Sequence, residues 1–330
     1  MNCSDQTSTD KFILLGLSDL PYFQVIYFLL FLAIYIVTVF GNLLLVLVVR
    51  INPCLQTPMY FFLSILSIID LGFSSSIAPK ILVDTLSKDR SISLWGCAAQ
   101  MFFSLALGET ECILLAIMAY DRFAAICRPL HYNTIMNQKL CLSLVAGTWS
   151  FCCINASIHV ALLFDIPYFQ SHHINHFFCE IPPLLHISCR DTRLNEVLVY
   201  VSAVIIVICS SLLTVISYFN IISTVLKIRS AHGRKKAFST CGSHFTVVTL
   251  YYGTIMFMYM RPPSAHSPET DKTVSILYTA VTPMLNPFIY SMRNKDVKQT
   301  VKKHFLPYFF SNLIISKKEV FTKSVPSHTS

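Results

Sequence analysis

The sequence predicts an all-α membrane protein, a seven-transmembrane helix bundle followed by a short amphipathic helix. Three observations carry this. The chain of 330 residues is 54% hydrophobic and only 13% charged, about half the charged fraction of a soluble domain. Charge-poor stretches of bilayer-crossing length occur seven times, at about 25–49, 58–79, 97–120, 140–164, 197–226, 237–260 and 273–292. Each supplies the roughly 20 helical residues that a bilayer core requires. Lys and Arg also divide unequally: with the amino terminus outside, eight lie in outer segments and 17 inside, against eleven acids outside and three inside. That bias predicts orientation. The chain then divides into an outer tail at 1–24, a seven-span domain at 25–292, and an inner helix and tail at 293–330. The formal +8 reflects inner loops facing anionic lipid and partners, and nucleic acid need not be invoked.

Taken in order, the first twenty residues hold Asp5, Asp10, Lys11 and Asp19, with no basic start and no apolar run before a small-residue cleavage site. No cleavable signal peptide is predicted. Asn2-Cys3-Ser4 is a glycosylation acceptor on an outer tail; Asn155-Ala156-Ser157 falls within a span and is discounted. Gly41-Asn42 interrupts the first span, where an amide in hydrocarbon needs a partner and a glycine admits a neighbouring helix. Pro58 opens the second span, where its missing N–H costs little. Asp70, near the middle of that span, costs roughly 3 kcal/mol on insertion scales and is expected to face the interior.

The third span begins at Cys97 and ends in Met118, Ala119, Tyr120, Asp121, Arg122 and Phe123. Ser104, Gly108, Glu111, Leu115, Met118 and Arg122 are spaced alternately by four and three residues, one stripe on a helix. A helix with such a stripe is expected at the centre of the bundle. Asp70 and Glu111 would share a cation or a proton between neighbouring helices, hard oxygen ligands suiting a sodium-like ion; a protonated, hydrogen-bonded pair is the alternative. Arg122 at the inner end would pair with Asp121 or project toward a partner, whereas a plain membrane-edge arginine snorkels.

The fourth span holds Trp149 and Cys152-Cys153, read as packing residues. The long outer loop at about 165–196 carries His172, His173, His176, Cys179, Glu180, His186 and Cys189, whose spacing fits no tight zinc pattern. A Cys97–Cys179 disulfide is the better use of two thiols in an oxidising compartment, and it would tie the loop over the bundle mouth. The third inner loop, 227–236, holds five basic residues, as the positive-inside rule requires. In the seventh span Pro287 must break one helical bond and mark a bend. Residues 294–306 read as a basic amphipathic helix on the inner surface, and the last two dozen as disordered.

In combination, Gly41-Asn42, Pro58-Met59-Tyr60, Met118-Ala119-Tyr120-Asp121-Arg122, Ser217-Tyr218, Lys236-Ala237-Phe238-Ser239-Thr240-Cys241 with His244, and Pro283-Met284-Leu285-Asn286-Pro287-Phe288-Ile289-Tyr290 give a chain that resembles class A G-protein-coupled receptors. Within these it is similar to the olfactory receptors over about 10–306. The resemblance implies a receptor in the ciliary plasma membrane of olfactory neurons that binds small volatile molecules and activates a stimulatory heterotrimeric G protein, raising cyclic AMP. By position it makes Arg122 the G-protein-engaging residue, with Tyr218 and Tyr290 turning inward to support it, and counts Asp121, His244, Asn286 and Pro287 among the residues of coupling and activation. Asp70 and Glu111 match the family's sodium-linked site, and Tyr252 the hinge below the ligand. Ser104, Leu105 and Gly108, with Ser202 and Ile206, Ile255 and Tyr259, and Ile276 and Thr279, are the expected pocket. That lining carries no charge and suits a small, uncharged or weakly polar ligand at micromolar potency. The chain departs from the family at Gln56, Phe123 and Phe169, where His, Tyr and Cys are usual, and the last leaves Cys189 without its usual partner. A transporter or channel is the alternative, but no internal repeat is seen. An enzyme is not expected, since no nucleophile, base and metal cluster converge.

Overall fold

The computed structural model describes residues 11–17, 20–165, 171–188, 191–261, 267–293 and 295–304. Seven long helices pack side by side: α1 (Pro21–Ile51), α2 (Pro58–Leu86), α3 (Leu94–Cys127), α4 (Gln138–Phe164), α5 (Arg193–Leu226), α6 (Ala231–Tyr259) and α7. α7 runs through Pro268–Ile276, a π-helical turn at Leu277–Val281, and Thr282–Arg293. α8 (Lys295–His304) follows. α1 to α5 are each long and apolar enough to cross a membrane, and α6, with 29 residues, matches them in length.

Local chemistry sets the starts. Pro58 is the first residue of α2, after Thr57. Ser93 Oγ caps α3 by accepting from the Gly96 N–H at 3.0 Å, and Asn137 Oδ1 caps α4 by accepting from the Leu140 N–H at 2.9 Å. Each satisfies a donor the first helical turn leaves over. Ser230 does the same for α6 through the Gly233 N–H. The basic run that the sequence places in a loop at 227–236 is therefore helical from Ala231 onward.

α3 is the axis, packing on α2, α4, α5 and α6. Ser104, Glu111, Leu115, Met118 and Arg122 of its stripe are buried. Side chains such as Phe40, Ile154, Val215 and Phe219 stand exposed on the perimeter, an apolar surface that lipid rather than water covers.

One end carries a feature the sequence did not announce, a three-stranded sheet ordered β2-β1-β3. β1 (Lys11–Leu14) pairs antiparallel with β2 (Ser91–Ser93) and parallel with β3 (His173–Ile174). Alternation buries Phe12 and Leu14 beneath it. Cys97 and Cys179 are bonded, with Cα atoms 5.5 Å apart, and the Cys179 N–H donates to Gln100 Oε1 at 2.9 Å. The segment after β3 is thereby fastened to the top of α3. At the opposite end Asn52 Nδ2 donates to Thr300 Oγ1 at 2.7 Å, docking α8 on the end of α1. Asn2, Phe169, Cys189 and the tail from 305 lie outside the described residues.

Candidate ligand cavity and coupling face

Beneath the sheet, α3, α4, α5, α6 and α7 surround a cavity of about 100 Å³. α3 contributes Ser104, Leu105, Gly108, Glu109 and Cys112; α5 contributes Val199, Ser202, Ala203, Ile206 and Val207; α6 contributes Tyr251, Ile255 and Tyr259. Phe73, His159 and Tyr278 come from α2, α4 and α7, and Phe178, Glu180 and Ile181 form the roof. The α5 wall includes a π-helical turn at Val204–Ile208, of the kind that often sits at functional sites.

Of the expected pocket, Ser104, Leu105, Gly108, Ser202, Ile206, Ile255 and Tyr259 line this cavity. Tyr252, Ile276 and Thr279 do not. Tyr252 instead donates from its hydroxyl to the Cys112 carbonyl at 2.8 Å, and Tyr251 donates to that of Gly108 at 2.6 Å. Together they join α6 to α3. Thr279 donates to the Ser275 carbonyl at 2.6 Å and lines a small recess with Phe31 and Ser74. Counted up from Asn286, the π-helical turn adds a residue to the turn and alters the phase of the helix, so Tyr278 reaches the cavity.

The lining also differs in charge from the sequence expectation, because Glu109, Glu180 and His159 face it. Glu180 Oε1 accepts from the hydroxyls of Tyr259 at 2.8 Å and Tyr278 at 2.7 Å, so the roof is latched to α6 and α7. His176 Nε2 lies 3.7 Å from Glu180 Oε2 and 3.4 Å from Ser275 Oγ, its ring stacked on Phe177. Burial, reinforced by Lys272, pushes the His176 pKa down to about 3 and holds the ring neutral. Spacing in the sequence could not reveal this latch, whose members lie up to about 100 residues apart.

Between the cavity and the α8 end lies a polar centre. Asn286 Nδ2 donates to both oxygens of Asp70, at 2.9 and 3.2 Å, and reaches Glu111 as well. Glu111 Oε1, Ser74 Oγ and Asn286 Oδ1 are buried and meet no hydrogen-bond partner among the described residues. Those hard oxygens, with Asp70, are a donor set that fits sodium.

At the α8 end Tyr132 donates from its hydroxyl to Asp121 Oδ1 at 2.7 Å. Arg122 is buried and lies against the Met59 sulfur. It is also within electrostatic range of Tyr218, Cys241, His244 and Tyr290. The Tyr218 hydroxyl is 2.7 Å from His244 Nδ1, with the two rings stacked. Of the residues grouped with Arg122 by the sequence, Tyr218, His244 and Tyr290 lie within this range, Asp121 bonds Tyr132, and Asn286 and Pro287 sit farther along α7, against Asp70 and Gly41.

Seven helices that enclose a cavity at one end and an arginine-centred polar cluster at the other have the architecture of a heptahelical membrane receptor. Comparison with known proteins makes this particular. The family described as olfactory receptor matches residues 31–307. "Olfactory receptor 5AR1" of Mus musculus is 48% identical over 303 residues, covering 92% of this chain and 98% of that protein. "Olfactory receptor 5B21" of Homo sapiens is 50% identical over 299 residues, covering 91% and 96%. "Olfactory receptor 5AP2" of Mus musculus is 50% identical over 297 residues, covering 90% and 94%. The chain belongs to the olfactory receptor family, whose members are odorant-sensing G-protein-coupled receptors and not enzymes.

Proposed function

We propose that this receptor binds a small volatile organic molecule in the cavity under the sheet and, through the cluster around Arg122, activates a stimulatory heterotrimeric G protein, raising cyclic AMP. One observation carries the reading: α3, α5, α6 and α7 wall the cavity and also meet at Arg122, and Tyr251 and Tyr252 bond α6 to α3 at the cavity's edge. A ligand that shifts α6 against α3 therefore acts on both ends of one packed unit. In this reading the amino terminus and sheet face outward from the ciliary plasma membrane of olfactory neurons. Asp121, Arg122, Tyr218, His244 and Tyr290 form the inward face that meets the G protein. Asp70 and Glu111, with Asn286 and Ser74, hold a sodium ion that favours the inactive state.

The test is a panel of odorants applied to cells expressing the receptor, with cyclic AMP and membrane current recorded together. Cyclic AMP without a receptor-borne current is expected, and the reverse would favour a channel. Ser104→Ala, Ser202→Ala and Tyr259→Phe should each shift an agonist's potency several-fold, since one hydroxyl contact is worth about 1 kcal/mol. Unchanged potency for all three at normal surface expression would place the ligand elsewhere.

A further inference from the structure

Along one wall of the cavity runs a polar chain that joins three helices. Glu109 Oε1 of α3 accepts from Asn155 Nδ2 of α4 at 2.7 Å, and Asn155 Oδ1 accepts from the Ser202 hydroxyl of α5 at 3.4 Å. Ser202 Oγ in turn lies 3.0 Å from His159 Nε2 of α4. Ser202 has one proton and gives it to Asn155, so His159 Nε2 carries the proton that completes the chain. Every donor then points toward Glu109. The other carboxyl oxygen, Glu109 Oε2, is buried and meets no donor among the described residues.

The cavity is otherwise largely apolar, lined among others by Phe73, Cys112, Ile206 and Ile255. Its second carboxyl is Glu180, and Tyr259 lies within electrostatic range of both acids. Among the described lining residues there is no Lys or Arg. A carboxyl oxygen buried without a donor costs free energy that a donating, cationic ligand would recover, because charge-assisted hydrogen bonds are the strong ones. An anionic ligand brings no hydrogen-bond donor to that oxygen.

We propose that the cavity is selective for short aliphatic amines, the ammonium donating to Glu109 Oε2 and the alkyl chain lying against the apolar wall. This rests on the reading that the cavity is the ligand site. A dry cavity of about 150 Å³ admits a benzene-sized molecule, so about 100 Å³ suits roughly four to six heavy atoms. Asn155 and Ser202 are positioning residues, holding the Glu109 carboxyl by one oxygen and leaving the other without a donor among the described residues.

The experiment compares n-butylamine, 1-butanol and butanoic acid by cyclic AMP concentration-response in cells expressing the full chain, with surface expression measured for every variant. The amine should act at the lowest concentration. Glu109→Gln should raise its half-maximal concentration roughly tenfold or more while moving the alcohol much less, and Glu109→Asp should retain part of the preference. No response to the amine, an acid as potent as the amine, or an amine potency indifferent to Glu109→Gln overturns the inference. Ala203→Trp, which fills the cavity, separates the two levels. Responses that survive it unchanged refute the cavity as ligand site, whereas loss of all responses in Ala203→Trp beside an indifferent Glu109→Gln refutes the amine assignment alone.

Discussion

Asn42 Nδ2 donates to the carbonyl oxygen of Pro283 at 3.0 Å. That carbonyl lacks its helical donor because the residue four positions on is Pro287, which has no N–H. The side chain of α1 thus replaces the bond that the proline removes from α7. Gly41 makes the approach possible, since a Cβ there would lie 3.0 Å from Pro287 Cγ. Asn42→Ala should leave a buried carbonyl without a donor, at a cost of about 1–3 kcal/mol, and lower the thermal inactivation temperature of the solubilised receptor. In a Pro287→Ala background residue 287 regains an N–H for Pro283, and the effect of Asn42→Ala should shrink. An undiminished effect there would show that Asn42 acts through some other contact.

Arg122→Ala should abolish odorant-evoked cyclic AMP while surface expression stays near wild type. The side chain packs on Met59 and lies within electrostatic range of Tyr218, His244 and Tyr290 at the end of the bundle away from the cavity, so ligand binding itself should be spared. Full signalling by the variant would remove Arg122 from the coupling face. Tyr218→Phe, which loses the 2.7 Å bond to His244, should weaken signalling without abolishing it.

Asp70→Asn and Glu111→Gln should each change basal cyclic AMP or its dependence on sodium, because both acids converge on Asn286. Basal signal is to be measured across sodium concentrations with potassium as the balancing ion. Wild-type behaviour of both variants at every concentration would reduce the pair to a packing feature.

The His176 ring is held neutral in the roof, where Glu180 and Ser275 face it, Tyr278 bonds Ser275, and Lys272 is near. Its folded pKa of about 3 lies below the ordinary value near 6.5, so at intermediate pH the opened roof binds a proton that the closed roof does not. Closure is at full strength above about pH 6.5 and weakens as pH falls toward 3, by up to about 1.4 kcal/mol per pH unit. Amide hydrogen exchange over 171–180 should therefore accelerate between pH 7.5 and 5 after correction for the intrinsic rate. His176→Phe should flatten that dependence; an identical slope in the variant would assign it to another group.

The helices and their central member were legible in the sequence because a bilayer makes span length and hydropathy local properties. The α3 stripe from Ser104 to Arg122 was legible for a similar reason, since helical spacing alone puts those residues on one face. Motif residues such as Asn42, Asp70, Arg122 and Tyr218 were likewise visible, each being costly in hydrocarbon or oddly placed there. What spacing could not determine is how each helix is rotated about its axis and how segments far apart in the chain meet. Glu109, His159 and Glu180 became cavity residues only through the packing of α3, α4 and the roof, and Tyr278 rather than Thr279 through a π-helical turn in α7. The sheet joining residues 11–14 to 91–93 and 173–174 belongs to the same class, because strands so short are held by their partners and carry no periodicity of their own. The proposed amine selectivity therefore depends on tertiary structure, since Glu109 and Glu180 line the cavity only once the bundle is assembled.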